Sequence, residues 1–406
     1  MINNLSRREW LKTAALTSAG LMMEAQPIVA FSNTKLRENN CAPDGPKMIA
    51  SVAKAAGITY GVAIQSDRRL GKIPPSGEET LADFIRAHSE LYVPGIAFLP
   101  EHFQPKEGYF STAMASAFIK RAEADNKQFR VHCMLYPGHD PSWVHSQLNK
   151  DNWREILDLH FDGIAAVPGV QQAVNIDVVN ELMDANEVYT NGYRPNSWYK
   201  AAGGPEYITY AFKKARSLFK DTPLYWCHDH TEQITDGYHI LQVRFMLNAL
   251  ERALKAGAPI DGYNMQGHLQ FRLGFDERQL NNFLSDLTRN LGLKIIIGEL
   301  DCRTGYVIGR QTDTRLPDQY SPSEYDQKAA DLVKRFLGVS LPFVRDTGRQ
   351  LITWGIADID SSWGPGTAQN IPQNERPLPF DAKFRPKLMY AAMLAALGDQ
   401  SEQKAN

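Results

Sequence analysis

The sequence predicts an α/β fold, a (β/α)₈ TIM barrel, on three observations. Eight short, mostly apolar runs are spread along the chain, amphipathic stretches separate them, and carboxylates stand where two of the runs give out. Strand–helix alternation of this kind builds parallel sheets, and eight repeats suffice to close one on itself. An open doubly wound sheet is the rival that alternation alone leaves standing.

The candidate strands are Tyr60–Ile64, Gly95–Leu99, Phe129–Leu135, Ala173–Asn180, Pro223–Cys227, Gly262–Gln266, Leu293–Leu300 and Leu351–Ile356. Several are nearly continuous in apolar residues rather than alternating, as strands buried on both faces are. A helix fits Lys47–Ala56 ahead of the first strand. In Thr112–Asn126, Met114, Phe118 and Ala122 share one stripe. Tyr207–Leu218 is a second helical stretch. The clearest is Tyr238–Ala256, where Ile240, Val243, Leu247, Leu250 and Leu254 recur every three or four residues and Gly257 stops the helix. Two more run from Glu277 to Asn290 and from Glu324 to Gly338. Long loops, Arg303–Pro322 and Asp358–Phe380, follow the seventh and eighth candidate strands, on the face where a barrel carries its site.

Of 406 residues, 43% are hydrophobic, enough for one large core. No linker or fixed-period repeat divides the chain, so residues 32–400 read as a single domain with an N-terminal extension, and a monomer is favoured. The net charge of −2, from 44 basic and 46 acidic residues, leaves no basic excess for phosphates. Nucleic acid is therefore excluded as a partner, and a neutral polymer or small polar ligand is favoured. Cys41, Cys133, Cys227 and Cys302 form no close pair, with one disulfide open to them, and Cys133, Cys227 and Cys302, within or near strand ends, read mainly as packed core thiols.

Residues 1–31 have the outline of a secretory signal: a basic region, a modest apolar run, then small residues near Ala30. Ser6-Arg7-Arg8-Glu9-Trp10-Leu11-Lys12 resembles the twin-arginine export signal. The run is short and Glu24 interrupts it, so stable membrane insertion is not expected. The expectation is a periplasmic or secreted protein whose mature chain starts near Phe31.

Two strands end in acid. The fourth runs Asn175-Ile176-Asp177-Val178-Val179-Asn180-Glu181, and the seventh ends in Gly298-Glu299-Leu300-Asp301. A barrel brings both ends to one rim. Facing carboxylates, one protonated and one ionised, are what glycosidic cleavage requires, and like-charge proximity helps hold one of them protonated. Other polar groups crowd the strands and their ends: His132, then His228, Asp229 and His230, then Gln266, then His268. Trp354 and Trp363 belong to the last strand and the loop behind it. Aromatic faces suit sugar rings, and amides and imidazoles bond hydroxyls. Core packing is the plainer reading of His132 and Trp354. The His-Asp-His run contains metal-ligand types, but adjacent residues seldom converge on one ion, so neither metal nor other cofactor is expected.

These residues resemble glycoside hydrolase family 10, the retaining endo-β-1,4-xylanases. Asp177-Val178-Val179-Asn180-Glu181 is similar to that family's acid/base segment, and Glu299-Leu300-Asp301 to its nucleophile segment. Ile260-Asp261-Gly262 leading to Gln266-Gly267-His268-Leu269 is a third match. Pro141-Ser142-Trp143, Trp354-Gly355 with Ser362-Trp363, and Phe380-Asp381 leading to Lys387 and Tyr390 follow the same order. The resemblance spans roughly residues 60–390. It implies Glu181 as acid/base and Glu299 as nucleophile, with their carboxyl groups about 5–5.5 Å apart. It further implies Asn180 on the sugar 2-hydroxyl, His268 holding Glu299, Gln266 supporting this network, His132 lining the subsite of the attacked sugar, and Trp354 forming part of the glycone platform. The implied partner is a polysaccharide or oligosaccharide.

Several positions depart from the family pattern. The Glu-Asn pair and the Lys expected at the end of the second strand fall at Gly95-Ile96 and Leu99, with Glu101 and His102 close by. A Trp-His after the third strand becomes Tyr136-Pro137, and the Trp opening the acid/base segment becomes Ile176. An Asn-Asp-Tyr-Asn pattern becomes Cys227-His228-Asp229-His230. The retained pair beside an altered sugar platform predicts a β-glycosidase whose preferred sugar, linkage or decoration differs from plain xylan. A glycan-binding barrel without hydrolysis and a metal-assisted hydrolase are the alternatives.

Overall fold

The computed structural model describes residues 47–65, 79–235, 237–303, 306–309, 312–315, 320–362 and 375–398. The chain divides into two units, Met1–Gly45 and Pro46–Asn406. The first, with the candidate export signal at residues 1–31, lies outside the described residues, and the second carries the fold. Among the described residues no helix is long and apolar enough to cross a membrane.

Among the described residues eleven strands occur in chain order: β1 Thr59–Ile64, β2 Leu91–Pro94, β3 Gln128–Phe129, β4 Ile176–Asn180, β5 Leu224–His228, β6 Gly262–Met265, β7 His268–Gln270, β8 Lys294–Arg303, β9 Tyr306–Gly309, β10 Thr312–Arg315 and β11 Gln350–Thr353. Eight of them lie parallel in the order β3-β2-β1-β11-β8-β6-β5-β4. Beyond Phe129 the chain runs on beside β4 through parallel bridges Val131–Ile176 and Leu135–Val179, which joins the two ends of this row. The result is the closed (β/α)₈ barrel. β7 adds to the upper end of β8, and β9 and β10 make an antiparallel hairpin within the first long loop.

The second candidate strand is corrected. Gly95–Leu99 is a buried turn, and the strand is Leu91–Pro94 just before it. Burial of both segments makes both apolar, so hydropathy could not separate them, and Pro94 closes the strand rather than excluding it. In the helix Gly237–Lys255 the buried face includes His239, Gln242, Val243, Met246, Ala249, Leu250 and Ala253, while Ile240 is 49% exposed. The stripe is rotated from the expected one because two polar side chains belong to its inner face. The last long helix extends to Pro322–Asp346, starting with a capping box of Ser321 and Glu324 and carrying Pro342 inside.

The barrel interior is polar low down. Arg130 and Asp177, both fully buried, form an ion pair. Arg130 Nε donates to Asn175 Oδ1 at 2.8 Å, and Asn264 Nδ2 donates to both Asp177 oxygens at 3.1 Å. Charges this deep persist only when paired and hydrogen-bonded; breaking such a pair costs about 3–5 kcal/mol. Gly298 makes room for the network: a Cβ there would lie 2.1 Å from Asn264 Oδ1. Through His132, whose Nδ1 is 2.8 Å from Asp177 Oδ2 and whose Nε2 is 3.7 Å from Glu299 Oε1, this network reaches Glu299 inside β8.

Candidate active site

Glu181 follows the last residue of β4, and its own N–H continues the sheet by donating to Cys227 O at 3.2 Å. Its backbone is left-handed, φ +53°, a conformation that costs an L-residue about 1 kcal/mol or more and swings the side chain off the strand's alternation. Oε2 accepts from the Tyr136 hydroxyl at 2.7 Å and lies 3.5 Å from Arg194 Nη1. Oε1 accepts from Gln266 Nε2 at 3.1 Å, and the same amide reaches Asn180 Oδ1 at 3.2 Å. Burial and the charge of Asp229 push the Glu181 carboxyl above its ordinary range, against Arg194, Tyr136 and Gln266.

Glu299 lies inside β8 on the same end of the barrel, its N–H donating to Gln266 O at 2.7 Å. Gln266 therefore bonds one carboxylate through its side chain and positions the other through its backbone. Only 5% of the Glu299 side chain is exposed, against 18% for Glu181, so the first is walled in while the second meets solvent. His268 Nε2 is 3.1 Å from Glu299 Oε2, and its Nδ1 is 3.0 Å from Asp301 Oδ2. Burial pushes His268 down, but Asp301 and Glu299 outweigh it and hold its pKa up to about 10. His268 is thus a cation giving Glu299 a charge-assisted hydrogen bond. On the other side, Cys227 Sγ is 3.4 Å and His132 Nε2 3.7 Å from Glu299 Oε1.

Of the other expected residues, Asn180, Gln266, His268 and His132 all gather around the two carboxylates. Trp354 follows β11 with its ring 5.4 Å from that of His132 and 6.2 Å from that of His268, half-buried and beside the cleft rather than sunk in the core. His228 is a correction. It is fully buried, its Nε2 2.6 Å from the Gln242 side-chain amide in the helix layer, and burial pushes it down to about 3. The strand's period of two explains this: Cys227 points inward at Glu299, so His228 points outward. Within the His-Asp-His run both imidazoles meet the Asp229 carboxylate, His230 Nε2 at 3.1 Å from Oδ2 and His228 Nδ1 at 3.5 Å from Oδ1, while the Nε2 edge of His228 faces the helices. Trp363 lies outside the described residues.

Tyr136 and Arg194 are site residues that the sequence reading did not assign. Tyr136 stands one place past the third candidate strand, a position that could have flagged it. Arg194 comes from an irregular stretch with no local signal. Glu101 Oε1 is 2.6 Å from His139 Nδ1, and the His139 and Tyr136 rings lie 4.6 Å apart, so Glu101 joins the wall beside Glu181. Gly95 and Leu99 are buried and bring no polar side chain to that rim.

The sequence pattern of glycosyl hydrolase family 10 matches residues 48–396, nearly the whole barrel. The chain belongs to this family. Endo-1,4-beta-xylanase A of Caldicellulosiruptor sp. (strain Rt8B.4) is 27% identical over 326 residues, covering 77% of this chain and 43% of that protein. Endo-1,4-beta-xylanase A of Cellvibrio japonicus (strain Ueda107) is 29% identical over 313 residues, covering 71% and 47%. The chain thus spans less than half the length of these two relatives. The family fold is shared with xylanase 10B from Thermotoga petrophila RKU-1, solved with xylobiose: TM-score 0.72 at 22% identity, over 89% of this chain and 99% of that one.

Proposed function

We propose that this family-10 member is a retaining β-glycoside hydrolase acting on a xylan-related polysaccharide or oligosaccharide. The observation that carries the reading is the contrast between two carboxylates on one rim. Glu181 is pushed toward its acid form and reaches solvent, while Glu299 is enclosed and bonded to a cationic histidine. In the first step Glu299 attacks the sugar C1 as the C1–O bond breaks, and the Glu181 proton passes to the leaving oxygen. In the second, Glu181, now a carboxylate, takes a proton from water as the water oxygen attacks C1 and Glu299 leaves. The xylanase names of the relatives support the xylan class.

The buried Gly95 and Leu99 favour a preferred sugar, linkage or decoration that differs from plain xylan. Each hydroxyl partner missing from the sugar platform lowers affinity for the family's usual ligand by about 1–3 kcal/mol. The test is a substrate panel of β-1,4-xylan, arabinoxylan, β-glucans, galactans and aryl β-glycosides with product analysis. Retention at C1 is expected, with a decorated or non-xylan glycan preferred. Plain xylan turned over as well as any other glycan would remove the specificity claim, and no turnover on any of them would favour a binding protein.

The pH profile gives a sharper check. Hydrolysis requires protonated Glu181, so activity falls as pH rises through its pKa. Asp229→Asn removes a negative neighbour, makes proton loss from Glu181 easier, and should move the alkaline limb of kcat/KM to lower pH. Tyr136→Phe removes a hydrogen bond that favours the anion and should move it the other way. Limbs that stay fixed in both variants would detach Glu181 from the acid role.

A further inference from the structure

We propose that His132, Cys227 and Glu299 together bind a thiophilic divalent cation of zinc's class, and that such an ion shuts the active site reversibly. The hydrolase reading supplies the inhibitory consequence; binding itself stands apart from it. His132 Nε2, Cys227 Sγ and Glu299 Oε1 all lie within 4.8 Å of one another, with Sγ 3.4 Å and Nε2 3.7 Å from the carboxylate oxygen. A tetrahedral ion held at ordinary zinc bond lengths needs donor separations of about 3.3–3.6 Å. Small side-chain rotations therefore complete three corners, and the fourth is left for water.

The surroundings are those of a metal site as well. Nδ1 of His132 is 2.8 Å from Asp177 Oδ2, an acceptor that orients the ring with Nε2 toward the site, where an incoming ion would displace any proton on it. Asn264 Nδ2 at 3.2 Å and Gln266 Nε2 at 3.8 Å donate to the Cys227 sulfur, which stabilises a thiolate. Burial holds the Cys227 thiol above its ordinary range in the free protein. The ion must therefore displace the thiol proton, which leaves to solvent, so affinity rises with pH. An ion bound there takes up the Glu299 oxygen and blocks its attack on C1.

The experiment is a Co²⁺ titration of the full protein, read as the thiolate-to-cobalt charge-transfer band, with Zn²⁺ competition and EDTA reversal. One saturable band per chain is expected, bleached by Zn²⁺ and strengthening with pH. Cys227→Ser should abolish it and weaken Zn²⁺ binding by at least about 100-fold, and His132→Gln should weaken it by at least about 10-fold. Cys41→Ser, Cys133→Ser and Cys302→Ser should retain the band. Absence of the band in the wild type, or its survival in Cys227→Ser, overturns the site. Hydrolysis that continues at Zn²⁺ concentrations saturating the site overturns the inhibitory claim. A band in a protein that hydrolyses no glycan would overturn the hydrolase reading while sustaining the metal site.

Discussion

Glu299→Gln is expected to reduce hydrolysis on the order of 10⁴-fold or more while leaving glycan binding measurable. The amide keeps the size of the carboxylate and a hydrogen bond toward His268, but it cannot form the glycosyl ester. Loss of a nucleophile has a chemical signature beyond slow turnover. In Glu299→Gly, azide should restore cleavage of an aryl β-glycoside with a good leaving group by attacking C1 from the vacated side, giving the inverted α-azide. Turnover unchanged in Glu299→Gln, or a rescued product of retained configuration, would remove Glu299 from the nucleophile's place.

Glu181→Ala should behave differently, because it removes a proton donor rather than a bond-forming oxygen. Natural glycans, whose leaving oxygen needs protonation, should lose about 10²–10⁴-fold in rate. An aryl glycoside with an acidic phenol should still form the ester with Glu299 and then stall for want of a base. Azide attacking that ester should release a β-azide. The alkaline limb of the pH profile should vanish with the side chain. Equal losses on natural and activated substrates would mean that Glu181 serves geometry rather than proton transfer.

Much of this was legible in the sequence because barrel strands buried on both faces leave apolar runs that end abruptly, and the first polar groups past each end form the rim. Glu181, Glu299, Gln266 and His268 could be found by that rule together with family order. His228 could not be placed, since adjacent positions in a strand face opposite ways and a one-residue uncertainty inverts the answer. Strand β2 was displaced because the turn behind it is as buried as the strand. Arg194 reaches Glu181 from a stretch without periodicity, where only the folded chain reveals proximity. Cys227 read rightly as a packed thiol, but packing against a carboxylate cannot be told from packing against a methyl group without coordinates.

β8 runs ten residues and is braced beyond Met265 by β7, where His268 pairs with Asp301. The Glu299 carboxylate is thereby anchored four positions short of the strand's last residue, Arg303. Anything grafted after that point, by drift or by an engineer, starts downstream of a rigid tether. Exchanging segments among relatives beyond Arg303 to retune glycan choice should therefore leave the alignment of the Glu299 carboxylate intact.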